Sequence, residues 1–244
     1  MKKIIFLFFL ITISQTVLAQ EADSLKVLSD GTIIIDNFQN QKVGELPSGW
    51  YDRNATSEVV NESPKEQQKY KYRVLQEGSN KYLHYQGTKA MHLNFPLRNR
   101  KNLNIYKTPI LSWRVRVDKI PENANEDDDN RNDSAASIYV VFDLGHILFK
   151  KVPKSIRYSW SSTLSKGTQL TKLFGNQKII VVQSGTKETG KWVTFKRNIV
   201  EDYKRLFGDD PPKKPLAILI LSDGDSTGNR SVADYDDIEL RPAN

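Results

Sequence analysis

The chain has 244 residues, of which 36 are Lys or Arg and 29 are Asp or Glu, giving a formal charge of +7, and it contains no cysteine. The missing thiols exclude disulfides, thiolate metal centres, cysteine nucleophiles and a lipid-modified N-terminal cysteine, so an exported domain must stand on its core alone. The charge is only modestly basic and the basic segments carry no interleaved aromatics, which leaves out nucleic acid as a partner.

Residues 1 to 19, MKKIIFLFFLITISQTVLA, join a basic start at Lys2 and Lys3 to an apolar run from Ile4 to Ile13 and end on Ala19, two residues after Val17. This is the pattern of a secretory signal cleaved near Ala19, and it places the protein in the periplasm or the medium. The apolar run is too short to span a membrane, and no later segment approaches the ~20 apolar residues a span needs. A polar leader over 20–30 precedes one domain over 31–242, long enough to bury roughly 70 to 75% of its unfolded surface. Oligomeric state leaves no mark in the sequence.

In chain order, GTIIIDNF (31–38) is a β-branched run that predicts a first strand, with a turn-rich exit through Pro47, Gly49 and Trp50. Residues 54–68 are polar and contain Pro64, which predicts a loop or weak strand. Alternation over 70–76 and 81–86 around a glycine-containing turn predicts a hairpin. A strand over 90–95 and a basic loop from Arg98 to Lys107 follow. From Leu111 to Asp118 alternation is strict: Leu111, Trp113, Val115 and Val117 share one face, and Ser112, Arg114, Arg116 and Asp118 share the other. After an acidic crossing, Ala135 to Phe142 is apolar on both faces, as in a central strand, so the two segments read as a mid-sheet pair. Strands are predicted at 156–162, 178–184, 192–197, 216–221 and 235–240. The single convincing helix is Ile199 to Phe207, with Asn198 as N-cap, Glu201 at its third position and Gly208 as its stop. Short strands at near-regular spacing predict an all-β fold, a jelly-roll-like antiparallel β-sandwich with one short helix near 199–207.

The blocks LSWRVRVDKIPENANEDDDNRNDSAASIYVVF, YSWSS, VVQSG, RNIVEDYKRLFG and ILILSDGDSTGNRSVADYDDIEL, in that order, resemble the bacterial DUF3047 family, domains of unknown function with no activity to transfer. More distantly, IIIDNF, the pair Gly49–Trp50 and the closing YDDIEL are similar to the ends of jelly-roll galactose-binding or lectin-like modules. That resemblance implies a glycan ligand and a candidate structural calcium, which by position falls on Asp36 and Asp237.

Arg114 and Arg116, on one strand face with Asp133 or Asp118 nearby, either grip carboxylate, sulfate, phosphate or sugar hydroxyls by forked hydrogen bonds or form a structural ion-pair network. The run Glu126 to Asp129 reads as a solvated loop in preference to a calcium site. Asp223, Asp225, Thr227 and Gly228, with Asp234 eleven residues after the first, match the spacing of a calcium loop, although a strand leads in where a helix belongs. Most aromatics belong to the core; Trp160, at a strand end before Ser161 and Ser162, is the one assigned to a stacking platform beside Tyr139. His84, His92 and His146 lack metal-ligand spacing, and nucleophile elbow, phosphate loop and zinc-helix signatures are absent.

These features point to an exported, non-catalytic binder of a carbohydrate or anionic envelope polymer, held on the concave sheet face by Arg114, Arg116, Asp133, Tyr139, Trp160, Asp223 and Asp225. Two alternatives stay open. One is a glycan-cleaving jelly-roll enzyme with a carboxylate pair drawn from Asp133 and the 223–225 segment, a chemistry that leaves no sequence signature. The other is a structural envelope protein with no ligand site.

Overall fold

The computed structural model describes residues 24–89, 91–142, 146–147 and 150–243, and the expected signal at 1–19 lies outside them. The strands are β1 (Ile33–Asp36), β2 (Tyr72–Glu77), β3 (Asn80–Gly87), β4 (Leu93–Pro96), β5 (Ile110–Lys119), β6 (Ala136–Phe142), β7 (His146–Ile147), β8 (Lys150–Lys151), β9 (Lys154–Ser161), β10 (Gln169–Lys172), β11 (Gln177–Ser184), β12 (Trp192–Asn198), β13 (Ala217–Leu221) and β14 (Ser231–Arg241). The helices are α1 (Pro64–Gln67), inside the stretch expected as loop, and α2 (Ile199–Phe207). No helix among the described residues is long and apolar enough to cross a membrane.

Two six-stranded sheets form a β-sandwich. The first runs β12-β5-β14-β3-β2, with β1 added along the far end of β14; the second runs β10-β11-β9-β6-β13-β4. All pairs are antiparallel except β11 with β9, which is parallel. The mid-sheet pairing of the segments around 111–118 and 135–142 needs correction. Each is central in its own sheet, β5 between β12 and β14 and β6 between β9 and β13, and the acidic crossing carries the chain from one sheet to the other.

Alternation explains which faces meet. Leu111, Trp113, Val115 and Val117 of β5 oppose Ile138, Val140 and Phe142 of β6 and Ile156, Tyr158 and Trp160 of β9, in one buried core. Burying each such side chain stabilises the fold by roughly 1.5–3 kcal/mol. Helix α2 forms where its caps dictate: the Asn198 side chain accepts from the Val200 and Glu201 amides, and Gly208 closes it at φ 79°. Its buried face seals one end of the sandwich, with Tyr203 edge-on to Phe142 at 4.7 Å.

On the outer face of the first sheet, Arg116 donates to Asp234 at 2.7 Å and to Glu77 at 3.1 Å, and Arg114 to Asp237 at 3.0 Å. Both guanidinia lie over the Trp192 ring, at 4.8 and 5.0 Å. The two arginines therefore form the structural ion-pair network, holding β5 to β14 and β12, and not a ligand grip.

Candidate functional site

The strand registers set the outer face of the second sheet in transverse rows. Arg157, Tyr139, Leu219 and Asn94 form one row across β9, β6, β13 and β4. On one side lies the row Ser155, Val141, Ala217, Pro96; on the other, Ser159, Ser137, Leu221. The middle row is thus the boundary between two unlike halves of the face.

The serine row is covered. The crossing after β5 lies over it and is tied down by Ser162 to the Pro121 carbonyl at 2.6 Å and by Thr163 to the Ala124 carbonyl at 2.7 Å. Glu126, expected in a solvated acidic run, is instead 0% exposed and accepts the hydroxyls of Ser159 at 2.5 Å and Ser161 at 2.6 Å. Arg157 links the two halves, donating to Ser137 Oγ at 2.9 Å and to Asn132 Oδ1 of the crossing at 2.9 Å. The loop before β14 completes the cover: Asp133 accepts from the Ser226 and Thr227 amides and the Thr227 hydroxyl, and Asp223 accepts from the Ser134 amide at 2.7 Å. Within it, a Cβ on Gly224 would stand 1.9 Å from the Asn229 carbonyl oxygen, so only glycine fits.

The other two rows, Arg157 excepted, floor a cleft of about 560 Å³. Its walls include Arg53, His92, Arg98, Leu173 and Gln177, and no Asp or Glu is among the described residues that line it. Tyr139 stands edge-on to His92 at 5.7 Å, and the Arg157 guanidinium carbon lies 5.6 Å from its ring centre. Burial, then the charges of Arg53 and Arg157, lower the His92 pKa to about 4, so its imidazole is neutral at neutral pH. Two buried polar atoms of the middle row have no protein partner: Asn94 Oδ1 at one end and Arg157 Nη2 at the other. Next to the lining residue Leu173, Phe174 is 90% exposed, and both hold left-handed backbone, φ 51° and 52°.

Of the residues expected to form the site, Tyr139 alone lines the cleft. Arg114 and Arg116 face away on the first sheet. Trp160 is 1% exposed because its strand position points between the sheets, where it meets Phe195 and donates to the Gly185 carbonyl at 3.0 Å; it offers no stacking surface. Asp133, Asp223 and Asp225 do come together, with ligand atoms within 4.8 Å of one another, the first two buried and the third exposed, and none of them lines the cleft. Burial raises the Asp223 pKa to about 7. Asp133 and Asp223 serve as acceptors for loop amides and do not face a cleft as a cleavage pair would.

At both candidate calcium positions the carboxylates have protein partners. Asp36 accepts from Trp50 Nε1 and Gln41 at 2.9 Å and from the Phe38 amide at 2.7 Å, while Asp237 is paired with Arg114. In the loop from Asp223, the closing Asp234 leaves for the first sheet, bound by His84 at 2.6 Å and by Arg116.

Sequence reasoning missed Arg53 and Asn94, read Arg157 only as the end of a basic stretch from Lys150, and considered His92 only as a metal ligand. The signal for two of them was present: Asn94 sits between Leu93 and Phe95, and Arg157 between Ile156 and Tyr158, each a polar side chain inside a strand-forming run.

Among solved structures, the family 30 carbohydrate-binding module of a cellulosomal cellulase of Clostridium thermocellum aligns over 87% of this chain and 98% of its own, at 10% identity and a TM-score of 0.43. The family 11 carbohydrate-binding module of another cellulosomal cellulase of that organism aligns over 88% and 97%, at 12% identity and a TM-score of 0.40. An exo-β-agarase aligns over 86% of this chain and 25% of its own, at 10% identity and a TM-score of 0.37. No curated protein matches in sequence. The family model described as "Protein of unknown function (DUF3047)" matches residues 49–239, and the chain belongs to that family.

Proposed function

We propose that the protein is an exported, non-catalytic binding module that holds a carbohydrate chain in the cleft on the second sheet. The observation that carries this is the row Arg157–Tyr139–Leu219–Asn94. It sets an aromatic and an aliphatic side chain between two residues that each carry a buried polar atom without a protein partner, their backbones about 14 Å apart by three strand spacings. A pyranose offers that combination, an apolar face for the ring and hydroxyls for the polar ends. The cleft volume lies within the range of ligand sites. Among the described residues that line the cleft there is no carboxyl pair of the kind a glycosidase needs, about 5 to 9.5 Å apart across its substrate. The N-terminal signal pattern is what supports export.

The test is calorimetric titration of the protein with a panel of neutral and acidic oligosaccharides, beside Asn94→Ala in the cleft and Arg114→Ala on the opposite sheet. The expected result is binding lost in Asn94→Ala and kept in Arg114→Ala. Binding unchanged by Asn94→Ala, or lost only in Arg114→Ala, would move the site off this face.

A further inference from the structure

We propose, resting on that reading of the cleft, that the ligand is an acidic saccharide chain, selected by Arg53 in contact with its anionic groups and by the positive charge of Arg157 beside the floor. Arg53 is exposed on the wall, and its carbonyl receives the Asn94 Nδ2–H at 3.4 Å, which seats it at the Asn94 end of the row. At the other end, Arg157 is 2% exposed, and the partners of its Nε and Nη1 are the neutral oxygens of Ser137 and Asn132. A guanidinium keeps its charge even when buried, and burial without a contacting carboxylate leaves its field to act on its surroundings.

Two acids lie behind Arg157. Glu126 is held by Ser159 and Ser161, and Asp223, bonded to the Ser134 amide, is close to half protonated at neutral pH. On the cleft side the balance is positive. The charges that act on His92 are Arg53 and Arg157, both cations, and no carboxylate is among the described residues of the lining. A neutral sugar would gain nothing from this arrangement, whereas a carboxylate or sulfate ester gains charge-assisted hydrogen bonds from Arg53 in a partly desolvated site.

The experiment is calorimetric titration of the full chain with three probes: an oligogalacturonate, the same oligosaccharide with its carboxyls reduced to hydroxymethyl groups, and a sulfated galactan oligosaccharide. Each is run at low and high salt on the wild type, Arg53→Gln, Arg157→Met and Arg157→Lys. Tighter binding of an acidic probe than of the reduced one, by about tenfold and weakening with salt, is the expected result. Which acidic probe binds separates a uronate from a sulfate ligand. Arg53→Gln, an exposed change that leaves the fold intact, should abolish the acidic preference and spare the reduced probe. Equal binding of acidic and reduced probes would overturn this inference and leave the cleft reading standing. Binding of none of the three would overturn both. An acidic preference that survives in Arg53→Gln and in a folded Arg157→Met would overturn the assignment to these arginines.

Discussion

Arg157 and Tyr139 stand opposite one another in the β9–β6 register, with the guanidinium carbon 5.6 Å from the centre of the phenol ring. Above them is the cleft; beside them, under the crossing, is a buried polar network of Ser134, Ser137, Ser159, Ser161, Glu126 and Asp223. The same cation therefore holds the network together and charges the cleft floor. Removing Arg157 leaves the Ser137 and Asn132 oxygens without their donor, and Glu126 and Asp223 without the buried cation that acts on them, which together cost about 3 kcal/mol. Arg157→Met is expected to lose about that much in urea unfolding, and Arg157→Lys less, because the charge stays while the forked hydrogen bonds go. A loss below about 1 kcal/mol, the scale of an exposed pair, would mean that the buried acids are neutralised by something other than Arg157.

Stability should rise on mild acidification. Burial raises the Asp223 pKa to about 7 and the Asp236 pKa to about 6, so the native state binds protons that the unfolded chain, titrating near 4, has released. Stability then falls as pH climbs from about 4 to 7. His84 has the same sign: the Asp234 hydrogen bond raises its pKa, and the stability that gives is present at low pH and lost as pH rises through the raised value. His92 opposes them, since its pKa is lowered to about 4 and stability falls as pH drops below the unfolded value near 6.5; the two aspartates and His84 together outweigh it, so thermal melts should give a higher Tm at pH 5 than at pH 8. Asp223→Asn keeps an acceptor for the Ser134 amide and should flatten part of that slope; an unchanged slope would show that Asp223 does not titrate in this window.

Phe174 is expected to trade stability against binding. At φ 52° and ψ 39° it sits in left-handed backbone, which costs an L-residue with a bulky side chain roughly 1–2 kcal/mol, and its ring is almost wholly in water. No core contact offsets this. Asn tolerates the same backbone, so Phe174→Asn should leave the Tm unchanged or slightly raised. If the ring stacks on a sugar at the cleft rim, the same change should weaken oligosaccharide binding by about fivefold, the worth of ~1 kcal/mol of aromatic contact. A fall in Tm would show instead that the ring packs within the fold.

Local structure was legible wherever a local cause acts. The caps at Asn198 and Gly208 bound α2 as expected, the alternation in β5 separated core from surface, and the glycine turn after Glu77 set the β2–β3 hairpin. What the sequence could not carry is long-range pairing. Arg116 and Asp234 are 118 residues apart, and Glu126 reaches Ser161 across 35. Nothing in the acidic crossing marks Glu126, and not Asp127 or Asp128, as the one that turns inward. The cleft was hidden for the same reason: Asn94, Tyr139 and Arg157 come from three strands, and only the sheet order places them in one row.

His92 offers a direct report on the charge of the cleft. Three influences lower its pKa to about 4: burial first, then Arg53 and Arg157. Its own ring partner, Tyr139, is neutral, since burial pushes that phenol up to about 12. An anion bound beside Arg53 would offset the cations and favour the imidazolium, so the His92 pKa must rise on binding, and by linkage affinity for the anion must increase as pH falls toward the free-state value. NMR titration of the imidazole C–H resonances should show His92 titrating near pH 4 in the free protein. With a saturating uronate oligosaccharide it should titrate about one unit higher or more, which corresponds to about 1.4 kcal/mol of coupling per unit. Arg53→Gln should raise the free value and shrink the ligand-induced change, because one of the two opposing cations is gone. The carboxyl-reduced oligosaccharide separates charge from burial: by excluding water without adding an anion, it should leave the His92 pKa where it is or lower it. A rise of equal size with both sugars would show that contact with His92, and not the charge of the ligand, moves the proton.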